Sequence, residues 1–264
     1  MKHFLRVVFV SLFALAVPGL TPALAIKGGQ TSRDSGGMRR VVVQIKGPAG
    51  TQCSGTIISR RLVLTAAHCF LAGRGEYRIR ALDPTFRFRY SVADMVAIHP
   101  NFDVRALGTN TPLNDIALLR SSRDFPTWLN PVALAATTPG EGEFVDVLAA
   151  GYGMNRNHSV ASAGTLRQQH FAMLDQINDP TRLLFLIDRK STGKRVRHGI
   201  CRGDSGGPVF RRSGDGYVLA GVISAVVAGD NIDCGAVTAV TPVSVYRGFI
   251  QDMAGRANSP VTFK

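Results

Sequence analysis

The stretch Gly203-Asp204-Ser205-Gly206-Gly207-Pro208 decides how this chain is interpreted. A serine hydroxyl is a poor nucleophile at neutral pH, so it needs an adjacent base and a site that stabilises the developing oxyanion. Glycines on both sides of Ser205 allow a tight turn and leave room for a substrate carbonyl, and the amides of Gly203 and Ser205 can then point at one oxygen. The alternative for this stretch alone is a glycine-rich turn that happens to contain a serine.

Two other stretches contain the partners that a serine nucleophile needs. Leu64-Thr65-Ala66-Ala67-His68-Cys69 is an apolar, strand-like run with a histidine near its end, and Asn114-Asp115-Ile116-Ala117-Leu118-Leu119 places an aspartate before a hydrophobic run. Histidine takes and returns a proton near pH 7, and a buried carboxylate fixes its tautomer. Taken singly, His68 is compatible with a packed core histidine and Asp115 with a cap or turn residue.

In the order His68, Asp115, Ser205, the three motifs resemble those of the trypsin/chymotrypsin family of serine proteases, in which such residues form a catalytic triad. The resemblance covers nearly the whole chain after residue 25, and three further motifs carry it: Ile26-Lys27-Gly28-Gly29, Cys53-Ser54-Gly55-Thr56 and Gly151-Tyr152-Gly153. It implies a serine endopeptidase that hydrolyses protein or peptide substrates through an acyl-enzyme, with an oxyanion hole formed by Gly203 and Ser205. The alternative is a catalytically silent, protease-like binding protein or adhesin.

Composition and strand pattern bear on the fold. The chain has 264 residues, of which 45% are hydrophobic and 19% charged, as in a globular protein. Many short apolar runs separated by Gly, Pro, Asn and Asp predict an all-β barrel or sandwich. The predicted strands are 41–45, 53–59, 62–65, 77–81, 86–90, 95–98, 116–120, 144–149, 166–174, 183–187, 209–211 and 217–224, and a terminal helix is predicted over 245–253.

The resemblance implies that these strands form two antiparallel Greek-key β-barrels, the first over about 26–136 and the second over about 137–264, with the site in the cleft between them. Four cysteines allow three pairings, and the residues alone do not choose among them. Free thiols of a cytosolic protein are a further alternative. The resemblance implies the disulfides Cys53–Cys69 and Cys201–Cys234.

Residues 1–25 have the pattern of a secretory signal peptide. Lys2 and Arg6 form a basic start, residues 5–17 are mostly apolar, and Ala23-Leu24-Ala25 is an A-x-A cleavage site. We therefore expect a secreted or periplasmic protein, with residues 26–264 as the protease domain and no membrane attachment after cleavage. The alternatives are cleavage after Ala16, which would leave a pro-segment over 17–25, and an uncleaved membrane anchor.

The new amino terminus has a specific role in the family that the chain resembles. There, the free α-amino group of an apolar residue pairs with the aspartate before the nucleophile and shapes the oxyanion hole, which implies an activation ion pair between Ile26 and Asp204. Because Ile26 directly follows Ala25, signal cleavage would itself liberate this amine. The sequence therefore predicts an enzyme without a zymogen stage.

The chain is strongly basic. Removal of Lys2 and Arg6 with the signal peptide lowers the formal net charge from +13 to +11. Long-range attraction could favour acidic substrates or acidic surfaces, although solvated basic loops, such as 189–197, are an equally good explanation. No nucleic-acid-binding fold and no cluster of metal ligands is recognisable. We expect a monomer without cofactor or metal.

The resemblance also implies which residues form the substrate pocket: Gly199, Ile200, Ser224, Ala225, Val226 and Thr238. Gly199 lies where trypsin-like relatives carry an aspartate, so a buried Arg or Lys side chain would be left unpaired. Val226 and Thr238 lie where deep-pocketed relatives carry glycines. We therefore expect cleavage after small aliphatic residues. The alternatives are a nearly non-selective pocket and a chymotrypsin-like preference for Phe or Leu.

Overall fold

The computed structural model describes residues 26–32, 37–106, 113–140, 142–155, 163–175, 182–189, 197–228 and 234–264. The expected signal peptide, and residues 190–196 of the basic segment, lie outside this range. The elements of the described residues are β1 (Gln30–Thr31), β2 (Val42–Lys46), β3 (Gln52–Ile57), β4 (Leu62–Thr65), β5 (Arg78–Leu82), β6 (Phe88–Ile98), β7 (Ala117–Ser121), β8 (Phe144–Gly151), β9 (Arg167–Asp175), β10 (Leu184–Ile187), β11 (Ile200–Cys201), β12 (Pro208–Ser213), β13 (Gly216–Ala228), β14 (Cys234–Gly235), β15 (Val237–Pro242) and the helix α1 (Arg247–Arg256).

Most strands of the described residues form two antiparallel six-stranded barrels. The first closes in the order β2-β3-β4-β7-β6-β5, and the second in the order β8-β9-β10-β15-β13-β12, with β8 paired back to β9. The predicted fold class is therefore confirmed. Closure satisfies the backbone hydrogen bonds that the edge strands of an open sheet would leave unpaired.

Side-chain alternation explains why these segments form barrel walls. In β5, Ile79 and Ala81 are buried, whereas Arg78 is exposed and Arg80 partly so, as expected when successive side chains point to opposite faces of a strand. The short strand β4 is buried throughout, because it lies between two neighbours and beneath the second barrel. Each barrel consequently has an apolar interior.

The structure differs from the predicted elements in several places. The strands predicted over 86–90 and 95–98 are parts of a single strand, β6, whose register with β7 shifts between Ala93 and Met95. Strand β15 was not predicted, although it pairs with both β10 and β13. The terminal helix begins at Arg247 and ends at Arg256, two to three residues later than predicted.

Each chain end packs against the barrel formed by the other half of the sequence. At the amino end, β1 pairs with β9, and Lys27 pairs with Gly199. At the carboxyl end, the rings of Tyr246 and Phe249 pack on His99 of the first barrel. None of the helices in the described part of the chain has the length and apolar character needed to cross a membrane.

Candidate active site

His68 and Asp115 are brought together by the pairing of two first-barrel strands. His68 lies in a short 3-10 turn just after β4, and Asp115 lies just before β7. Because β4 and β7 are antiparallel, with Thr65 opposite Ala117, the end of one meets the start of the other. The His68 ring nitrogen Nδ1 is 2.7 Å from Asp115 Oδ2, and the His68 backbone N–H donates to Asp115 Oδ1 at 2.8 Å.

The Asp115 carboxylate is fully buried, and the second barrel supplies a further donor to it. The Ser224 hydroxyl donates to Asp115 Oδ2 at 2.6 Å. Thr241 donates from its hydroxyl to the Asp115 backbone carbonyl at 3.1 Å. Asp115 is therefore held at the junction of the two barrels, with its carboxylate oxygens satisfied and aimed at His68.

Burial and pairing act in opposite directions on the His68–Asp115 pair. Burial alone would lower the pKa of His68, but the charge of Asp115 and its hydrogen bond outweigh it, so the pKa of His68 is raised above its usual value. Burial alone would raise the pKa of Asp115, but His68 and the hydrogen bond from Ser224 lower it. The arrangement favours a carboxylate that stabilises a protonated imidazole.

Ser205 lies in a tight loop between the barrels. The loop is fastened to the first barrel by the Ser54 N–H, which donates to the Ser205 carbonyl at 2.8 Å, and to β13 by the Gly206 N–H, which donates to the Ile223 carbonyl at 2.8 Å. Gly206 has a φ of +78°, and a Cβ there would lie 2.0 Å from Thr65 Oγ1. Only glycine allows this close approach of the loop to the strand that leads to His68.

The same loop contains two backbone N–H groups, those of Gly203 and Ser205, that could serve as an oxyanion hole. Within the described residues, neither the Gly203 nor the Ser205 amide donates a hydrogen bond, as an oxyanion hole requires. The Ser205 hydroxyl makes no hydrogen bond to His68 in this structure. Such bonds are often long in a free enzyme and shorten when substrate binds.

Ser54 links the loop that contains Ser205 (residues 203–207, the Ser205 loop) to the neighbouring Gly151-Tyr152-Gly153 motif. Its hydroxyl donates to the Gly203 carbonyl at 2.9 Å and accepts from the Tyr152 N–H at 2.9 Å. With the Ser54 N–H bond to Ser205, one residue of β3 makes three hydrogen bonds around the loop. Ser54 therefore helps to set the orientation of the peptide units that flank Gly203.

Asp204 points away from Ser205 into the second barrel, where it meets the start of the described chain. The carboxylate is fully buried and accepts from the backbone N–H groups of Gly153 at 2.8 Å and Cys201 at 3.0 Å. The Ile26 N–H is a further hydrogen-bond donor to it. Burial raises the pKa of Asp204 to about 7, against these donors and the positive charge of Arg167.

Arg167 is a fully buried cation near Asp204. Arg167 is 0% exposed, and its guanidinium donates to the Gly29 carbonyl at 3.3 Å and to Thr31 Oγ1 at 2.7 Å. Burial lowers the pKa of Arg167 to about 10, whereas the charge of Asp204 acts to raise it. Arg167 thus holds the segment after Ile26 against β9.

Both disulfides implied by the resemblance are present. Cys53–Cys69 joins β3 to the turn that contains His68, and Cys201–Cys234 joins β11 to β14. Among the described residues, the one cluster of potential metal ligands consists of His68 with Cys53 and Cys69. The sulfur atoms of that cluster are already joined to each other, so they are not available as thiolate ligands.

A cavity of about 310 Å³ opens beside Ser205. Its wall includes the predicted pocket residues Ile200, Ser224, Ala225 and Val226. Gly199 and Thr238 are not on the wall: Gly199 pairs with Lys27, and Thr238 is buried directly opposite Val226 in β15. The wall combines aliphatic side chains with two serines and Arg202, and none of the described residues that line it carries a carboxylate.

Sequence reasoning missed three residues of this region. Arg202 lines the cavity with its exposed side chain, Arg167 lies near Asp204, and Thr241 fixes the Asp115 backbone. Arg202 could have been found, because it directly precedes Gly203. No sequence signal marks Arg167 or Thr241, since each reaches the site only through the pairing of strands distant in sequence.

Comparisons with known proteins identify the family. The family model described as Trypsin matches residues 26–250. The chain is 31% identical to cathepsin G of Homo sapiens, over 75% of this chain and 78% of that protein, and 28% identical to trypsin alpha of Drosophila erecta, over 83% of this chain and 85% of that protein. It is also 31% identical to the alkaline trypsin A of Manduca sexta, over 65% of this chain and 68% of that protein. With its two barrels and a family match that spans most of its length, the chain belongs to the trypsin family of serine endopeptidases.

Proposed function

We propose that the protein cleaves peptide bonds with a triad of Ser205, His68 and Asp115, and that it does so after export, with a preference for small aliphatic residues before the scissile bond. The observation that carries the triad is the buried Asp115 carboxylate, held by Ser224 and aimed at His68. It lies beside the Ser205 loop, in which the Gly203 and Ser205 amides donate to no acceptor among the described residues. This combination is what acyl transfer requires.

The reaction proceeds in two halves. Ser205 Oγ attacks the substrate carbonyl carbon while His68 Nε2 takes its proton, and the resulting oxyanion accepts hydrogen bonds from the Gly203 and Ser205 amides. His68 then gives that proton to the leaving nitrogen as the C–N bond breaks, which leaves an acyl-enzyme. A water molecule, deprotonated by His68, repeats the sequence and releases the acid. Asp115 remains ionised throughout and stabilises the imidazolium.

Activation by signal cleavage is supported by the position of Ile26. Its side chain is fully buried, and its N–H already faces the Asp204 carboxylate. Ile26 has a φ of 48° in the continuous chain, a conformation that costs a residue of this type roughly 1–3 kcal/mol. Because φ is defined by the preceding carbonyl, a cut before Ile26 removes this strain. It also replaces a neutral donor with an ammonium beside a buried carboxylate.

The preference for small residues is supported by the cavity wall. Val226 lines the cavity, and Thr238 lies next to it at the paired position of β15. None of the described wall residues carries a carboxylate that could pair with an arginine or lysine side chain of the substrate. Short aliphatic side chains fit such a pocket without a buried charge.

Covalent labelling tests the triad directly. A fluorophosphonate should react with Ser205 in protein that starts at Ile26, and the Ser205→Ala variant should not react. The His68→Ala variant should react far more slowly. Absence of labelling in correctly processed protein would favour a silent binding protein instead.

Two further measurements test the remaining parts of the proposal. Amino-terminal sequencing of exported, active protein should begin at Ile26, and a start at Val17 would contradict direct activation. Cleavage of a mixed peptide library should occur mainly after Ala or Val. Dominant cleavage after Arg or Lys, or after Phe, would contradict the proposed pocket.

A further inference from the structure

The Ser205 loop divides the substrate-binding cleft into two sides. On one side, Ile223 of β13 makes two hydrogen bonds with Gly206 and Gly207, and the cavity next to β13 can accept the side chain before the scissile bond. On the other side, Ser54 of β3 binds Gly203 and Ser205. In a peptide that lies across Ser205, the residues after the scissile bond therefore extend over β3 of the first barrel.

Lys46 lies next to this part of β3, and only the side chain of Gln52 separates it from the Ser205 loop. A Cβ added to Gly203 would lie 3.4 Å from Gln52 Nε2, which shows how closely Gln52 approaches the loop. Gln52 donates to the Tyr152 carbonyl at 3.2 Å and accepts a hydrogen bond from the Lys46 ammonium. Lys46 and Gln52 are direct partners across β2 and β3. The ammonium is thus placed beside the path of the leaving group.

Arg80 reinforces the positive charge of Lys46. Gln44 and Lys46 of β2 face Arg80 and Arg78 of β5, so all four project from the same outer face of the barrel. Arg80 donates to Gln44 at 2.8 Å and stacks on the Phe88 ring, with its guanidinium carbon 4.2 Å from the ring centre. These contacts hold the guanidinium in place without neutralising it.

Lys46 and Arg80 have no anionic partner among the residues that the structure describes. Arg78 is paired with Glu76, but neither Lys46 nor Arg80 forms an ion pair with a carboxylate of the described residues. Burial, followed by the charge of Arg80, lowers the pKa of Lys46. A positive potential without a counter-charge beside a substrate path favours an anionic ligand.

We propose that Lys46 and Arg80 form a subsite for an acidic side chain on the leaving-group side of the scissile bond. The inference rests on the proposed endopeptidase activity and specifies its substrates as peptides with Glu or Asp after the cleaved bond. An extended peptide advances by about 3.3 Å per residue, so the second or third residue after the bond is the one that reaches past Gln52 to Lys46.

Matched peptides test the subsite. We compare internally quenched peptides that share an alanine before the cleaved bond and differ only in Glu or Gln at the second or third position after it. The enzyme that starts at Ile26 should cleave one Glu peptide about fivefold more efficiently than its Gln partner, as judged by kcat/KM. The ratio should decrease as sodium chloride is raised, because the pair is partly exposed.

Variants assign the preference to the two cations. Lys46→Gln and Arg80→Gln should each bring the Glu/Gln ratio towards one, and Lys46→Glu should make a Lys peptide better than the Glu peptide. The ratio is measured on one preparation with both peptides, so it is independent of how much of a variant is folded. Arg212→Gln, which removes an exposed cation of β12, is the matched control and should keep the wild-type ratio.

Different results would contradict the acidic subsite and the endopeptidase activity on which it rests. Equal cleavage of Glu and Gln peptides by wild-type enzyme would overturn the subsite while leaving the endopeptidase intact. A ratio that Arg212→Gln reduces as much as Lys46→Gln would show a general effect of net charge and would also overturn it. Failure to cleave any peptide, together with absence of fluorophosphonate labelling, would overturn the proposed function and the subsite with it.

Discussion

At the scale of single residues, we expect the interaction between His68 and Asp115 to set the pH range of the proposed activity. In the proposed mechanism His68 must be neutral to accept a proton, and its pKa is raised above the usual 6.5 by Asp115 against the effect of burial. Activity should therefore increase with pH through a midpoint above 6.5. Removal of the charge of Asp115 leaves burial as the dominant influence, and burial lowers the midpoint.

Asp115→Asn tests this assignment. We expect kcat to fall by about 10⁴-fold, because the asparagine favours the wrong tautomer of His68, and the midpoint of the residual activity should move below that of the wild type. Thr241→Val is the matched control, since Thr241 bonds the Asp115 carbonyl and not its carboxylate. A midpoint that shifts equally in both variants would contradict the assignment.

Val226 permits a second prediction at this scale. Val226→Gly combined with Thr238→Gly should open the cavity beside Ser205, because the two residues face each other across β13 and β15. We expect the ratio of kcat/KM for Phe over Ala before the scissile bond to increase by about tenfold or more. An unchanged ratio in a variant that still reacts with a fluorophosphonate would show that these residues do not limit the pocket.

At the scale of elements, β1 is a short strand that is held in place by a side chain of β9. It contributes two residues to the second barrel, so its pairing alone is a weak anchor for the segment that begins at Ile26. Arg167 supplements the pairing with bonds to Gly29 and Thr31. The position of Ile26 therefore depends on a side chain that belongs to β9.

Arg167→Gln should weaken the attachment of the segment that begins at Ile26 and, through Asp204, the position of the Ser205 loop. In protein that starts at Ile26, we expect about a tenfold loss of kcat/KM and faster hydrogen exchange at the Lys27 and Ser32 amides, which donate to Gly199 and Leu166. Arg167→Lys retains a charge near Asp204 and should restore part of the activity. Equal losses in both variants, with no change in exchange, would indicate a role in folding alone.

At the scale of the whole molecule, processing at Ile26 should change how stability depends on pH. Without a free amine, the pKa of Asp204 is about 7, compared with 3.8 in an unfolded chain. Between these values the folded protein binds more protons than the unfolded one, so its stability decreases as pH rises from about 4 to 7 and does not recover above. An ammonium at Ile26 would hold the Asp204 pKa low and abolish this decrease.

Thermal unfolding of two forms in a Ser205→Ala background tests the prediction without self-digestion. Protein extended by two residues before Ile26 should lose stability between pH 4 and 7, relative to protein that starts at Ile26. Asp204→Asn in the extended form should remove the difference. Parallel pH profiles of the extended and processed forms would show that Ile26 does not pair with Asp204.

The fold and the core of the candidate site could be predicted because their signals are local. The sequences around His68, Asp115 and Ser205 each combine a reactive residue with the small residues that its turn requires, and alternation in β5 marks a barrel strand. By contrast, β15 has no clear alternation and ends at Pro242, so only its neighbours reveal it. Lys46 and Arg167 acquire their significance from cross-strand register, which a single sequence does not encode in any local pattern.

The crossed packing of the chain ends has a mechanical consequence. The amino-terminal segment is attached to the second barrel, whereas the carboxyl-terminal helix reaches back to the first, where Ser259 and Ser59 share a hydrogen bond of 2.6 Å. A single cut in the connection around residues 137–140 would therefore give two fragments. Each fragment would keep a terminal segment that packs against the other fragment. Such a nicked molecule should migrate as one particle under native conditions and separate only in denaturant.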